Sequence, residues 1–220
     1  MTVLELAEPY GTPVHVMIRP RGGGFVFDRD EQAVMLRDID TAVGLGAHGL
    51  VVGALTPDGD VDVRLLERLV KACAGRSVTF HRAVDVARTI EVAVEMAFDV
   101  GCDRVLTSGG ATTAVEGAPM LAQLVRNARD GKVVMAGGGI TADTAFGLVA
   151  DTLVAEIHVS ARGFRTTGAS PSPPGMVGVT AGPGPQWPTN GWPAPDMEHL
   201  ARIRESLVDV APSGRFDTLG

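Results

Sequence analysis

The sequence predicts an α/β fold: a TIM-like (β/α) barrel, incomplete, with about six parallel strands visible. Short aliphatic or β-branched runs recur at Val14–Arg19, Leu50–Gly53, Val78–Arg82, Arg104–Gly109, Val133–Gly139 and Glu156–Ser160. Each ends in glycine or in a polar or charged residue, and each of the first five leads into a helix-like stretch. The recurrence of ~25–35 residues is the length of one βα unit. Parallel strands need long crossovers, so this alternation argues one sheet wrapped by helices.

The elements follow in order. Val3–Ala7 reads as the end of a helix, and Gly11-Thr12-Pro13 leads into the first strand. Asp28–Gly46 carries Val34, Leu36, Ile39 and Val43 at helical spacing, with acids early. Asp62–Ala74 repeats the pattern, with Asp62 as N-cap. Thr89–Val100 is the third helix, and Gly101 suits its C-cap. Pro119–Arg129 is the fourth, with Pro119 in its first turn. Thr141–Ala150 and Asp196–Val210 are the fifth and sixth. Residues 1–162 read as a partial barrel, and 196–220 as a helix and tail of the same domain. Gly163–Pro195 is rich in Gly, Pro, Ser and Thr without periodicity, and is expected to be a long loop or partly disordered excursion. Its Trp187 and Trp192 either pin that loop or lie exposed.

The chain has 220 residues, 45% apolar and 20% charged, as one folded domain requires. A net charge of -7 argues against nucleic acid or an anionic membrane as partner. No apolar run is long enough to span a bilayer. Two cysteines, Cys73 and Cys102, make neither a disulfide framework nor a metal motif. No secretory signal opens the sequence, so a cytoplasmic location is expected.

Strand alternation puts His15, Met17 and Arg19 on one face, Thr79 and His81 on one face, and Glu156, His158 and Ser160 on one face. If those faces line a barrel lumen, polar groups converge at its mouth, where such barrels keep their sites. Each histidine taken alone is equally a satisfied core residue. His81, His158 and Asp85 are the catalytic candidates. A His–Asp pair suits acid–base work, or His binds a metal; equally, Arg82 and Asp85 pair to fix their loop. Arg19 and Arg21 sit beside Gly22-Gly23-Gly24, a basic, glycine-rich setting for carboxylate or phosphate. The bland alternative is ion pairing to Asp28, Asp30 or Glu31. Arg82, Ser108, Gly109, Gly138, Gly139 and Ser160 complete the expected anion-binding set, because glycines before a helix start offer backbone N–H groups. Tight-turn chemistry alone would also explain those glycines.

Several strings resemble the CutC family, usually named copper homeostasis proteins: Pro13–Gly23, Gly49–Gly53, Val78–Ala83, Arg104–Gly109 and Glu156–Ala161. The resemblance covers about Pro13 to Arg162. It implies a TIM-like barrel, a cytoplasmic location, and a role in copper homeostasis with copper as the ion bound. On this resemblance the six strands correspond to the family's third to eighth, and Met1–Pro9 to the end of its second helix. The two strands ahead of these have no counterpart here, nor do the cysteines proposed as copper ligands in the animal branch. No residue here is a metal ligand by inheritance. Two readings follow: a copper-handling protein of the CutC type, or a barrel enzyme acting on a small phosphorylated or carboxylated metabolite.

A sheet lacking two neighbouring strands exposes two edges, and exposed edges invite association. The chain as given is therefore expected to form a homo-oligomer or to be poorly soluble. Size-exclusion profiles and urea midpoints, with and without an upstream βαβ segment, check this. A monomeric short form at least as stable as the extended one would overturn it.

Overall fold

The computed structural model describes residues 2–160, 162–166 and 191–208. Thr2 opens α1 (Val3–Ala7) with a capping box to Glu5, and a 3-10 turn at Glu8–Tyr10 ends on Gly11 in the left-handed region. β1 (His15–Met17), β2 (Gly49–Val52), β3 (Ser77–Phe80), β4 (Arg104–Thr107), β5 (Val133–Gly137) and β6 (Glu156–His158) form one sheet in sequence order. Every neighbouring pair is parallel. The sheet curls into a half-barrel, with β1 and β6 at its edges among the described residues.

The helices are α2 (Arg29–Gly44), α3 (Val63–Ala72), α4 (Ile90–Val100), α5 (Ala118–Asn127), α6 (Ala142–Thr152) and α7 (Met197–Ser206). Their starts follow capping chemistry. Asp28 accepts from the amides of Asp30 and Glu31 while Glu31 reaches back to Asp28, and Asp62 accepts from Leu65. Gly101 ends α4 in the left-handed region at φ 117°. None of these helices is long and apolar enough to cross a membrane.

The expected excursion begins and ends in regular structure. β7 (Arg162–Thr166) and β8 (Gly191–Pro195) pair antiparallel, Trp192 opposite Arg165. A two-stranded ribbon consists only of edges, so Pro193 and Pro195 are tolerated there, and side-chain periodicity is weak. Trp187 lies outside the described residues.

Alternation sorts the sheet residues as the sequence predicts. Val52, Val78, Phe80, Val105 and Val134 are buried against Met35, Ile39, Leu66, Leu69, Ala97 and Leu121 of the helix layer. The opposite, concave face carries His15, Thr79, His81, Arg104, Leu106, Ser108, Gly137, Glu156 and His158. Glycine makes room on this face. His15 registers against Gly49, where a Cβ would lie 2.5 Å from the imidazole. At the β1 edge, Leu4, Val16, Met17 and Leu45 line an apolar groove, and Met17 and Leu45 are exposed.

At the N-terminal end of the concave face, Arg104 pairs with Glu156 in a bidentate bridge spanning β5, its Nη2 donating to Oε1 at 2.7 Å. Arg104 Nη1 also donates to Ser77 Oγ at 3.3 Å. The pair is mostly shielded, so its surviving partner would be left uncompensated when one side is removed. Arg104→Leu and Glu156→Leu are each expected to destabilise more than the double variant. The coupling expected in a urea-denaturation cycle is about 1–3 kcal/mol; coupling near zero would mean that the bridge is a solvated surface contact.

Candidate functional site

The C-terminal ends of the strands are organised around a buried carboxylate. His81 closes β3, and its Nδ1 accepts from the Ala83 amide at 3.2 Å, capping a 3-10 turn at Arg82–Val86. That turn carries Asp85 back toward β4. Asp85 Oδ1 accepts from the Thr107 hydroxyl and from the amides of Ser108 (3.0 Å) and Gly110 (3.2 Å). Asp85 Oδ2 accepts from Arg82 Nε at 2.6 Å and lies 3.1 Å from Ser108 Oγ. Arg82 Nη2 donates to Ser108 Oγ at 2.8 Å. The Asp85 side chain is only 6% exposed, and both its oxygens are engaged. The Gly109 amide donates to Thr107 Oγ1 at 2.8 Å, so the Ser108 and Gly109 amides are both used inside the chain.

The loop after β1 divides its two arginines. Arg21 places all five N–H donors within the loop and α2: on Glu31, in a bidentate bridge, and on the carbonyls of Gly22, Gly24 and Val26. The hydrogen bonds and charge of Arg21 hold the Glu31 carboxyl below the usual carboxylate range. Arg19 makes one hydrogen bond, from Nη2 to the Gly23 carbonyl at 2.6 Å, and its guanidinium lies 4.6 Å over the Phe25 ring. Its Nε and Nη1 donate to no described residue. Phe25 in turn packs on His81, with ring centroids 5.1 Å apart.

Beyond β5 the chain turns at Gly138 (φ 125°) and Gly139 (φ 67°) before Thr141 caps α6. Both residues occupy backbone conformations that side chains resist. The amides of Gly138, Gly139 and Ile140 donate to no group among the described residues. Arg82 Nη1, likewise without a described acceptor, sits 3.3 Å from the position a Gly138 Cβ would take, and Ser108 Cβ sits 3.2 Å from it. His158 and Ser160 approach from β6 and are exposed.

The histidines share one electrostatic bias. Burial, reinforced by Arg19, pushes His81 down to about 4. His158 is lowered by partial loss of solvent and by Arg82. His15 is lowered by burial and by Arg104. All three are therefore neutral at pH 7. Cys73 and Cys102 lie under the helices, where burial pushes their thiols up to about 11 and about 12.

The expected residues thus divide. Arg82, Ser108, Asp85 and the Gly138–Gly139 turn come together, with His158 on the same side. His81 and Arg19 meet through Phe25. Arg21 is committed to its loop. Phe25, Thr107 and Gly53 also belong to this assembly; Thr107 and Gly53 end strand runs that the sequence shows, whereas Phe25 carried no signal of its own. A Cβ at Gly53 would collide with the His81 ring. Among the described residues, no three His, Cys, Asp or Glu side chains are grouped to hold a metal ion.

The model of the CutC family matches residues 2–163. The family protein CutC of Pasteurella multocida (strain Pm70) is 47% identical over 153 residues, 70% of this chain and 63% of that protein. Its counterpart in Xanthomonas campestris pv. campestris (strain 8004) is 44% identical over 162 residues, 74% of this chain and 68% of that protein. The chain thus spans 63% of the length of the Pasteurella relative it matches. The crystal structure of the putative copper homeostasis protein CutC from Streptococcus agalactiae superposes with a TM-score of 0.68 at 32% identity, covering 71% of this chain and 76% of that one. Inosine 5'-monophosphate dehydrogenase from Legionella pneumophila shares the fold alone, with a TM-score of 0.52 at 11% identity over 94% of this chain and 71% of that one.

The His81 environment has a consequence for stability. Its folded pKa of about 4 lies below the ordinary 6.5. Between those values the unfolded chain binds more protons, so stability rises with pH there and is fully present above the upper one. His81 alone is expected to cost the fold up to about 3 kcal/mol on acidification across this window. His15 and His158 act in the same direction. Urea midpoints measured from pH 7 to pH 4 should fall steeply in the wild type and less in His81→Asn, whose amide oxygen can keep the Ala83 cap. Equal slopes would mean that solvent reaches the ring.

Proposed function

This chain belongs to the CutC family, and we propose that it binds a small phosphorylated or carboxylated molecule at the C-terminal ends of its strands. The observation that carries this reading is the Gly138–Gly139 turn beside Arg82. Three successive amides precede the N-terminus of α6 without a described acceptor, and Arg82 Nη1 lies 3.3 Å from the position a Gly138 Cβ would take. Backbone amides at a helix start favour an anion, and a guanidinium favours a planar or tetrahedral oxyanion. Asp85 neutralises Arg82 and fixes its direction, while Arg19 adds a charge that no described carboxylate balances. Asp85 then acts as a positioning residue. Neutral His158, beside Arg82, is the candidate proton carrier, with Ser160 as a neighbouring hydroxyl.

Copper handling is the second reading, favoured by the name of the Streptococcus agalactiae neighbour. Copper(I) takes thiolate and thioether ligands. Both cysteines here are buried and keep their protons at neutral pH, so the donor set supports the oxyanion more than the metal. A copper role would then run through the bound molecule.

Thermal and urea denaturation with inorganic phosphate, Cu(I) and Cu(II) separates the two readings. Phosphate at a hundred times its Kd is expected to add about 2.7 kcal/mol of stability. Arg82→Met, checked for folding by circular dichroism, is expected to weaken phosphate binding at least tenfold. Stabilisation by copper with no response to phosphate would overturn the proposal.

A further inference from the structure

His81 carries a feature that neither its capping role nor the anion site uses. Its Nδ1 accepts from the Ala83 amide at 3.2 Å, so that nitrogen bears the lone pair and the hydrogen of the neutral ring is on Nε2. Nε2 is buried and has no hydrogen-bond partner among the described residues, and the whole residue is 3% exposed. Buried N–H groups are normally satisfied, and one that is not calls for an acceptor, a bound ligand's oxygen being one. A metal is the wrong partner: ligation through Nε2 would move the hydrogen to Nδ1, against the Ala83 amide that already donates there.

The ring lies between the Gly53 backbone, where a Cβ would come within 2.4 Å of Cε1, and a side chain. Phe25 lies on His81 at 5.1 Å between centroids and 50° between planes, and Arg19 lies on Phe25. The Phe25 carbonyl is anchored by the Leu55 amide at 2.9 Å, so the backbone is held, while the half-buried ring packs against the core between His81 and Arg19. Among the described residues the one hydrogen bond of Arg19 is to the Gly23 carbonyl, within an arc where positions 22 and 24 have open space around them. An oxyanion that draws Arg19 away also removes the weight on Phe25.

Resting on the oxyanion reading above, we propose that His81 is the second contact of the same ligand: once Phe25 turns aside, its Nε2–H donates to an uncharged acceptor oxygen near the ligand's anionic group. The ligand class is then a small phosphate ester or carboxylate that also carries a carbonyl. A neutral imidazole donor suits a carbonyl oxygen, which it polarises without a competing ion pair. His81 follows β3 and Gly138 follows β5, two strand spacings of about 4.8 Å apart along the sheet, and Arg82, next to His81 in the chain, reaches Ser108 and the Gly138 position.

The test uses the full chain and three probes: inorganic phosphate, glycerol 3-phosphate, and dihydroxyacetone phosphate, which differs from the second by a carbonyl in place of a hydroxyl. Dihydroxyacetone phosphate is expected to bind at least tenfold more tightly than glycerol 3-phosphate. His81→Asn keeps the cap and loses the donor, so the preference should vanish while inorganic phosphate binds as before. His81→Gln puts an amide nitrogen near the Nε2 position and should retain part of the preference. Binding of all three probes without a carbonyl preference, or equal loss in the Asn and Gln variants, would overturn the assignment to His81 and leave the oxyanion site standing. No binding of any probe would overturn both.

Discussion

The Asp85 carboxylate is the interaction on which the strand-end architecture depends. A carboxylate this buried survives only if its lone pairs are filled and its charge is met. Arg82 supplies the charge, and the Thr107 hydroxyl and the Ser108 and Gly110 amides supply donors. The bonds run between a turn after β3 and a loop after β4. They therefore fix how two neighbouring strand ends sit relative to one another. They also set the direction of Arg82, whose remaining nitrogen reaches the turn after β5. Three successive βα loops are tied through one side chain.

The concave face is built by exchanging bulk for room. His15 and His81 have flat rings that lie across glycines of β2 and its following residue, Gly49 and Gly53. Gly137 does the same for Leu106 and His158. Glycine weakens a strand, but here it lets a polar ring sit flush against the next backbone. The face is thereby layered. The Arg104–Glu156 pair lies at the N-terminal end, Thr79 and Leu106 are in the middle, and His81, Arg82 and Ser108 stand at the C-terminal end. Charge is balanced in the lower layer and left in excess at the top, where Arg19 has no described counter-ion.

Much of this was legible in the sequence because β periodicity and capping are local. The run Val78-Thr79-Phe80-His81 alternates outward and inward, and the helix layer receives Val78 and Phe80 as alternation requires. Asp28, Asp62 and Gly101 cap their helices as their residue types predict. The hairpin of β7 and β8 was not legible. Its pairing joins residues 25 to 33 apart in a composition of Gly and Pro, where neither period nor propensity speaks.

The sequence by itself determined the parallel order of the six strands, the family, and the set of polar residues at the strand ends. Each of these is written in spacing and residue type within one βα unit. Only the tertiary structure decided which of those residues remain available to a ligand. Arg19 and Arg21 are near neighbours of the same type. One is consumed by Glu31 and three carbonyls, and the other is left over Phe25. Ser108 and Gly109 looked like anion-binding amides, yet Asp85 and Thr107 take them, while Gly138 and Gly139 stay open. The physical reason is that a hydrogen-bond donor is spent by whichever acceptor the fold brings within 3 Å or so, and those acceptors come from other loops, far away along the chain.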